Sequence, residues 1–177
     1  MSTVGPRISV IGNSGSGKST LAIALGEALH IPVHHLDREL LNGNFEKLPL
    51  EEYQKAHARL IAGDQWVIDG VYKNAIPERI DRSTLVVFLD VSRIYTFPRV
   101  LQRRRRGGQL PNTIPDGAKP ERLKLDYIKW TLSYDRRKKK RTLRSLCAEK
   151  GVKLLTLKKM PPHRLLEEVL AALPSAI

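Results

Sequence analysis

The chain has 177 residues, with 31 Lys and Arg against 18 Asp and Glu, which gives a formal net charge of +13 at pH 7. This length predicts a single domain over residues 1–177. The one cysteine, Cys147, excludes an internal disulfide and suits the reducing cytosol. No stretch approaches the ~20 apolar residues that span a bilayer, and the first residues lack the pattern of a secretory leader. We therefore expect a cytoplasmic protein with no membrane partner.

Short apolar runs alternate with segments of helical periodicity along the chain. The apolar runs predict strands at 7–11, 31–36, 66–69, 84–90 and 152–157. The periodic segments predict helices at 18–30, 50–62, 92–106 and 161–173, with one or two further helices within 120–150. Pro98 lies inside one of these segments and predicts either a kink or a helix that begins near it. The alternation predicts the α/β class with a parallel sheet.

The segment between the first predicted strand and the first predicted helix fits the pattern G-x-x-x-x-G-K-[ST] in full. Its glycines let backbone N–H groups point at a phosphate, and the helix N-terminus adds its dipole. We expect Lys18 to reach the β- and γ-phosphates and the Ser19 hydroxyl to ligate Mg²⁺. The predicted nucleotide-binding residues of this segment are Gly12, Asn13, Ser14, Gly15, Ser16, Gly17, Lys18, Ser19 and Thr20.

Two predicted strands end in an aspartate, Asp69 in WVID and Asp90 in VVFLD. Hydrolytic P-loop proteins usually carry a glutamate directly after such an aspartate, where it activates water. Here the next residues are Gly70 and Val91. The sequence therefore favours phosphoryl transfer to a bound acceptor over hydrolysis.

The positive charge is concentrated between residues 99 and 144, where 16 Lys and Arg against 4 Asp and Glu carry 12 of the 13 net charges. Such a block predicts a polyanionic partner: nucleic acid, nucleotide phosphates or an anionic membrane face. A solvated basic helix is the alternative. Arg99, Arg103 and Arg106 share one helical face, and Gly107 and Gly108 follow directly. This arrangement predicts a lid over about 103–122 that brings arginines over the phosphates and excludes water.

Several short motifs come in a characteristic order. They are GNSGSGKST, HLD at 35–37, WVIDGVY at 66–72, LDVSR at 89–93, RVLQRR at 99–104 and PER at 120–122. In order and spacing the chain resembles the adenylate-kinase-like P-loop kinases, and more closely the branch labelled DNA topology modulation protein. The resemblance implies a five-stranded parallel sheet of order 2-3-1-4-5, helices on both faces, an arginine-bearing lid, and ATP with Mg²⁺ as donor.

The resemblance also implies roles for individual residues. Asp69 matches the carboxylate that handles Mg²⁺ through water, and Asp37 ends strand 2, where related kinases hold the acceptor or its attacking hydroxyl. Arg103 and Arg104 match arginines at the lid base that contact the transferring phosphates. Arginines after the lid contact phosphates in these kinases, which points to Arg136 or Arg137.

Two departures from that branch fall on the acceptor side. Phe45 is the sole aromatic residue in the stretch after HLD, and Val71 replaces the usual asparagine of IDGNY. Alternatives also remain for the acids, because Asp69 and Asp90 could each cap a helix or form a turn, and Asp37 could cap the residues that follow it.

The sequence thus predicts an ATP-dependent kinase of a nucleotide or other small-molecule acceptor. The alternative is a nucleotide-binding protein that associates nonspecifically with nucleic acid through the basic block.

Overall fold

A computed structural model describes residues 5–42, 46, 48–72, 75–105 and 133–173, without the side chains of 104 and 105. The strands are β1 (Arg7–Gly12), β2 (Val33–His35), β3 (Trp66–Asp69), β4 (Leu85–Leu89) and β5 (Lys153–Leu157). The helices are α1 (Lys18–Leu29), α2 (Leu36–Glu39), α3 (Leu50–Ala62), α4 (Ile76–Arg82), α5 (Arg93–Arg105), α6 (Arg136–Glu149) and α7 (Pro162–Ala172).

The strands form one parallel sheet in the order β2-β3-β1-β4-β5. This confirms the predicted class, strand direction and strand order. The central strands β1, β3 and β4 are almost wholly buried, which explains why they appear in the sequence as continuous apolar runs rather than alternating ones.

Helices cover both faces of the sheet. On one face, α1 and α7 pack on the strands through Leu21, Leu25, Leu165 and Val169. On the other face, α4 and α6 pack on β1 and β4, while α3 covers β3 and the start of α2. Successive residues of a strand point to opposite faces, so β4 supplies both cores. The carboxyl ends of all five strands therefore open at one edge of a three-layer α/β/α sandwich.

The boundaries of the five strands and of α1, α3, α5 and α7 match the sequence prediction within one or two residues, whereas α2 and α4 were not predicted. Two further differences concern the site. The second strand is shorter than predicted, because the chain turns into α2 at Leu36. Helix α5 begins at Arg93 and contains Pro98, so Pro98 does not mark its start. Among the described residues, no helix is both long enough and apolar enough to cross a membrane.

Candidate active site

The loop after β1 has the backbone that its glycines predict. Gly15 and Gly17 take positive φ angles of 75° and 96°, a region that residues with a Cβ rarely adopt. The amide of Ser14 donates to the Asn13 side-chain oxygen at 2.8 Å, and the amide of Ser16 donates to the Asn13 carbonyl at 3.2 Å. Asn13 thus closes the loop, and the chain enters α1 directly after Gly17.

Helix α5 supports this loop from behind. The Asn13 side-chain amide donates to the Thr96 hydroxyl at 3.5 Å, and both residues are buried. A Cβ placed on Gly15 would lie 2.5 Å from the Thr96 carbonyl oxygen, far inside van der Waals contact. A Cβ on Gly17 would meet nothing within 4 Å. Gly15 therefore allows α5 to pack against the loop, whereas Gly17 faces open space.

A cleft of about 1460 Å³ opens at the carboxyl edge of the sheet, beside this loop. Its volume exceeds the ~300–1,000 Å³ typical of a single small-ligand pocket. It brings together predicted site residues that are far apart in the chain. Those lining it are Gly12, Ser14, Gly15, Ser16, Gly17, Lys18, Ser19, Thr20, Asp37, Asp69, Arg99 and Arg103.

Lys18 contacts the phosphate loop directly. Its ammonium donates to the Asn13 carbonyl at 3.0 Å. Burial lowers the pKa of Lys18 and the charge of Arg103 adds to that effect, while the carboxylates of Asp69 and Asp37 oppose it. The charge of Lys18 therefore interacts with those of Arg103, Asp69 and Asp37, which line the same cleft.

The two acids differ in their surroundings. Asp69, at the end of β3, is buried, and its Oδ1 is 2.8 Å from the His35 Nδ1. Asp37 is exposed and lines the cleft, and Tyr72 donates to its Oδ1 at 3.4 Å. Poor solvation raises the pKa of Asp37, which the charge of Lys18 opposes and that of Asp69 reinforces. Burial and the Asp37 charge raise the pKa of Tyr72, so its hydroxyl stays protonated and keeps donating.

The residues present fit a nucleotide triphosphate. The Ser16 hydroxyl and the Arg103 Nε are buried atoms with no hydrogen-bond partner among the described residues, as expected of donors that await an anion. Gly17 lines the cleft, and a Cβ on it would meet nothing within 4 Å, so the loop is open on this side.

The site also fits Mg²⁺. Ser19 and Asp69 both line the cleft and carry oxygen atoms, and Mg²⁺ is usually held by one or two protein oxygens plus phosphates and waters. The described residues contain no cluster of three or more His, Cys, Asp or Glu side chains that could hold a metal without such help.

The structure places the other predicted residues elsewhere or leaves them outside its described part. The Arg136 guanidinium donates to Asp90 Oδ1 at 2.7 Å, and neither Arg136 nor Arg137 is among the described residues that line the cleft. The Arg104 side chain, Phe45 and the lid from 106 to 122 lie outside the described residues. Val71 lines the cleft and packs on the apolar core.

Asp37 and Asp90 do not occupy the N-cap positions of α2 and α5. Helix α2 has His35 at its N-cap position, so Asp37 lies inside its first turn. The Asp90 side chain is paired with Arg136 and with Lys140, 3.3 Å away. Asp90 therefore joins β4 to the start of α6.

Other cleft residues were not predicted as site residues. Tyr72 lies three residues after Asp69, and four lysines of α6 and the loop after β5 line the far wall: Lys138, Lys139, Lys158 and Lys159. Lys159 also lies over the Tyr95 ring at 3.9 Å. The charge of the basic block was visible in the sequence, but the side of α6 that faces the cleft depends on how that helix packs.

Comparison with known proteins shows the fold. No protein-family model matches the chain, and no curated protein does. Among solved structures, a gluconokinase from Sinorhizobium meliloti 1021 matches with 20% identity and a TM-score of 0.58, over 94% of this chain and 90% of that one. Shikimate kinase from Aquifex aeolicus vf5 matches with 22% identity and a TM-score of 0.54, over 94% of each chain.

Deoxyadenosine kinase from M. mycoides, solved with bound dATP, matches with 13% identity and a TM-score of 0.56, over 93% of this chain and 97% of that one. With the strand order and the phosphate loop, these matches define the P-loop kinase fold. They do not favour the nucleic-acid alternative.

Proposed function

We propose that the protein is an ATP-dependent phosphotransferase that moves the γ-phosphoryl group of ATP to a hydroxyl group of a nucleotide or another small molecule. The position of Asp37 carries the proposal. This carboxylate lines the same cleft as Lys18 and Asp69, and the charges of all three interact. A hydrogen-bond acceptor opposite a phosphate loop is the group that a hydroxyl nucleophile requires.

The walls of the cleft near Asp37 favour phosphoryl transfer to a bound small molecule over transfer to water. Leu41, Tyr72, Ile76 and Pro77 line this end, and the Tyr72 ring lies 6.0 Å from that of Tyr53. Apolar and aromatic walls with a few polar groups are typical of small-molecule sites. The gluconokinase, shikimate kinase and deoxyadenosine kinase that share the fold are named for acceptors that carry hydroxyl groups.

The proposed reaction is an in-line transfer. Asp37 accepts the proton of the acceptor hydroxyl while the new bond to the γ-phosphorus forms. The bond from that phosphorus to the oxygen shared with the β-phosphate breaks, and ADP leaves. Lys18 and Arg103 stabilise the negative charge of the transferring group. A raised pKa makes Asp37 a stronger proton acceptor.

The remaining predicted roles stay part of the proposal. Ser19 and Asp69 would hold Mg²⁺, which supplies positive charge to the phosphates when it is bound. The loop 12–20 would hold the ATP phosphates, with Arg99 and Arg104 near them. Arg136 and Arg137 would contact the nucleotide. The HLD and WVIDGVY motifs support placing the chain in the topology modulation branch of these kinases.

The test is ADP release from ATP and Mg²⁺ in the presence of nucleoside monophosphates, nucleosides, sugars, polyols or hydroxy acids, each supplied singly. We expect at least one class to accelerate ADP release. With that acceptor, Asp37→Asn should lower kcat by about 10²-fold or more while the Kd for ATP changes little. Asp64→Asn is the matched control, because Asp64 is exposed and is not among the described cleft residues. Release of ADP at the same rate with every acceptor and with none would contradict the proposal.

A further inference from the structure

Asp69 has a buried partner that does not itself line the cleft. The Nδ1 of His35 lies 2.8 Å from Asp69 Oδ1, and the two residues are only 7% and 4% exposed. The contact follows from the sheet register, which places His35 of β2 directly opposite Asp69 of β3. Asp69 is among the cleft-lining residues and His35 is not. His35 therefore contacts the acid from outside the cleft.

The contact joins a ring nitrogen to a carboxyl oxygen. A carboxylate without a proton only accepts hydrogen bonds, so Asp69 in that form takes this hydrogen bond from the Nδ1–H group of His35. A hydrogen bond to an ionised group at this length is of the stronger kind. It occupies Oδ1 and leaves Oδ2 for groups in the cleft.

The backbone beside Asp69 is held by other contacts. The buried Arg79 guanidinium donates to the Gly70 carbonyl at 2.9 Å, and the Gly70 amide donates to the Val10 carbonyl at 3.3 Å. Gly70 has a φ of 127°, and a Cβ there would lie 2.8 Å from Leu36 Cβ. These contacts hold the main chain at Gly70, whereas the His35 contact is made to the side chain of Asp69.

We propose that His35 is a positioning residue, whose Nδ1–H group holds the Asp69 carboxylate in the orientation that faces the phosphates of Mg²⁺-ATP. The inference rests on the proposed function, because it assigns Asp69 to the Mg²⁺ side of an ATP site. Groups that orient metal-side carboxylates commonly contribute 10- to 100-fold to metal affinity or activity.

Two amide substitutions test whether the hydrogen bond of His35, or only the volume of its side chain, matters for Asp69. In His35→Asn the amide nitrogen lies near the position of Nδ1, so the donor to Asp69 is kept. In His35→Gln the amide extends toward the position of Nε2, so the donor is displaced. His34→Gln is the control, because His34 is the preceding residue of β2 with its side chain on the opposite face of the sheet.

The first measurement needs no acceptor. The Kd of each variant for ATP is determined by calorimetry with MgCl₂ and again with EDTA, and the ratio of the two values reports the effect of the metal. We expect this ratio of Kd values to agree within about threefold among wild type, His35→Asn and His34→Gln. In His35→Gln the tightening produced by Mg²⁺ should be smaller by about 10-fold or more.

The second measurement uses an acceptor that supports turnover. We expect His35→Gln to lower kcat by about 10- to 100-fold, with the KM for ATP changed less, and His35→Asn to restore most of the loss. A general packing defect would instead lower the Tm of both variants together and leave the metal ratio unchanged. If His35→Gln does not fold, His35→Leu, with an apolar side chain in the buried position, takes its place.

The outcomes separate this inference from the proposed function. If no acceptor accelerates ADP release, the proposed function fails while the metal ratio still tests His35. If the wild type turns over an acceptor and His35→Gln has the same kcat and metal ratio, the positioning role is wrong. Equal impairment of His35→Asn and His35→Gln would also overturn it, since the donor at Nδ1 would not then be what matters.

Discussion

Two glycines of the phosphate loop should respond differently to the same substitution. Gly15 and Gly17 both have positive φ angles, 75° and 96°. A Cβ on Gly15 would lie 2.5 Å from the Thr96 carbonyl oxygen and 3.0 Å from Val100 Cγ2. A Cβ on Gly17 has nothing within 4 Å. Gly15→Ala therefore combines backbone strain with a steric clash, and Gly17→Ala carries the strain alone.

The expected magnitudes follow from these contacts. A positive φ costs a residue with a Cβ roughly 1–2 kcal/mol, and overpacking against a well-packed neighbour costs about 1–3 kcal/mol more. Gly17→Ala should thus lower the free energy of unfolding by about 1–2 kcal/mol and Gly15→Ala by about 2–5 kcal/mol. For a protein of this size, 1 kcal/mol lowers Tm by about 2–4 °C.

The smaller loss of stability in Gly17→Ala should nevertheless come with a clear loss of ATP affinity. Under the proposed function, the open space at Gly17 is where a phosphate binds, so a methyl group there competes with ATP directly. We expect Gly17→Ala to weaken ATP binding by about 10-fold or more, which corresponds to about 1.4 kcal/mol, despite its smaller loss of stability.

The assays are thermal unfolding of the ligand-free variants and calorimetric titration with Mg²⁺-ATP. Equal losses of Tm in the two variants would refute the argument that α5 packs closely against Gly15. An unchanged ATP affinity in Gly17→Ala would refute the assignment of the open space to a phosphate.

Three further predictions concern single residues. Arg103→Ala should lower kcat by about 10²-fold or more and weaken ATP binding much less; equal losses in both measurements would indicate simple charge attraction. Burial alone would raise the pKa of Asp90, but the hydrogen bonds from Arg136 and Lys140 outweigh it and hold that pKa below its usual value. The resulting stability is present above the unfolded pKa of about 3.9 and is lost as the pH falls through the lower folded pKa. Asp90→Asn should therefore be less stable than wild type by about 1 kcal/mol near neutral pH, and urea unfolding should show the difference shrinking below pH 4; a constant difference would contradict this. Burial raises the pKa of the Cys147 thiol to about 11, so a thiol reagent at pH 8 should label Cys147 in urea and not in the folded protein; rapid labelling of the folded protein would show that this part of α6 opens.

The strands, most of the helices and the phosphate loop were predictable because their signals are local, whereas the short helices α2 and α4 were not predicted. A phosphate loop requires glycines at particular backbone positions, with Lys and Ser at the start of a helix, and each requirement is met within nine consecutive residues. Buried parallel strands produce continuous apolar runs, so the strands were found within a residue or two. The strand order itself came from the resemblance, since order depends on long-range contacts that no local pattern specifies.

Tertiary structure decided which side chains meet. Asp37 and Asp69 lie 32 positions apart, and the sheet brings them to one cleft because β2 and β3 are parallel neighbours. The same register gives Asp69 its partner His35. Asp90 ends a similar strand, yet it pairs with α6 because β4 lies on the other side of β1. The sequence by itself thus determined a phosphate-binding α/β protein with acids at its strand ends, and packing of the sheet determined which acid faces the phosphate loop and which one holds a helix.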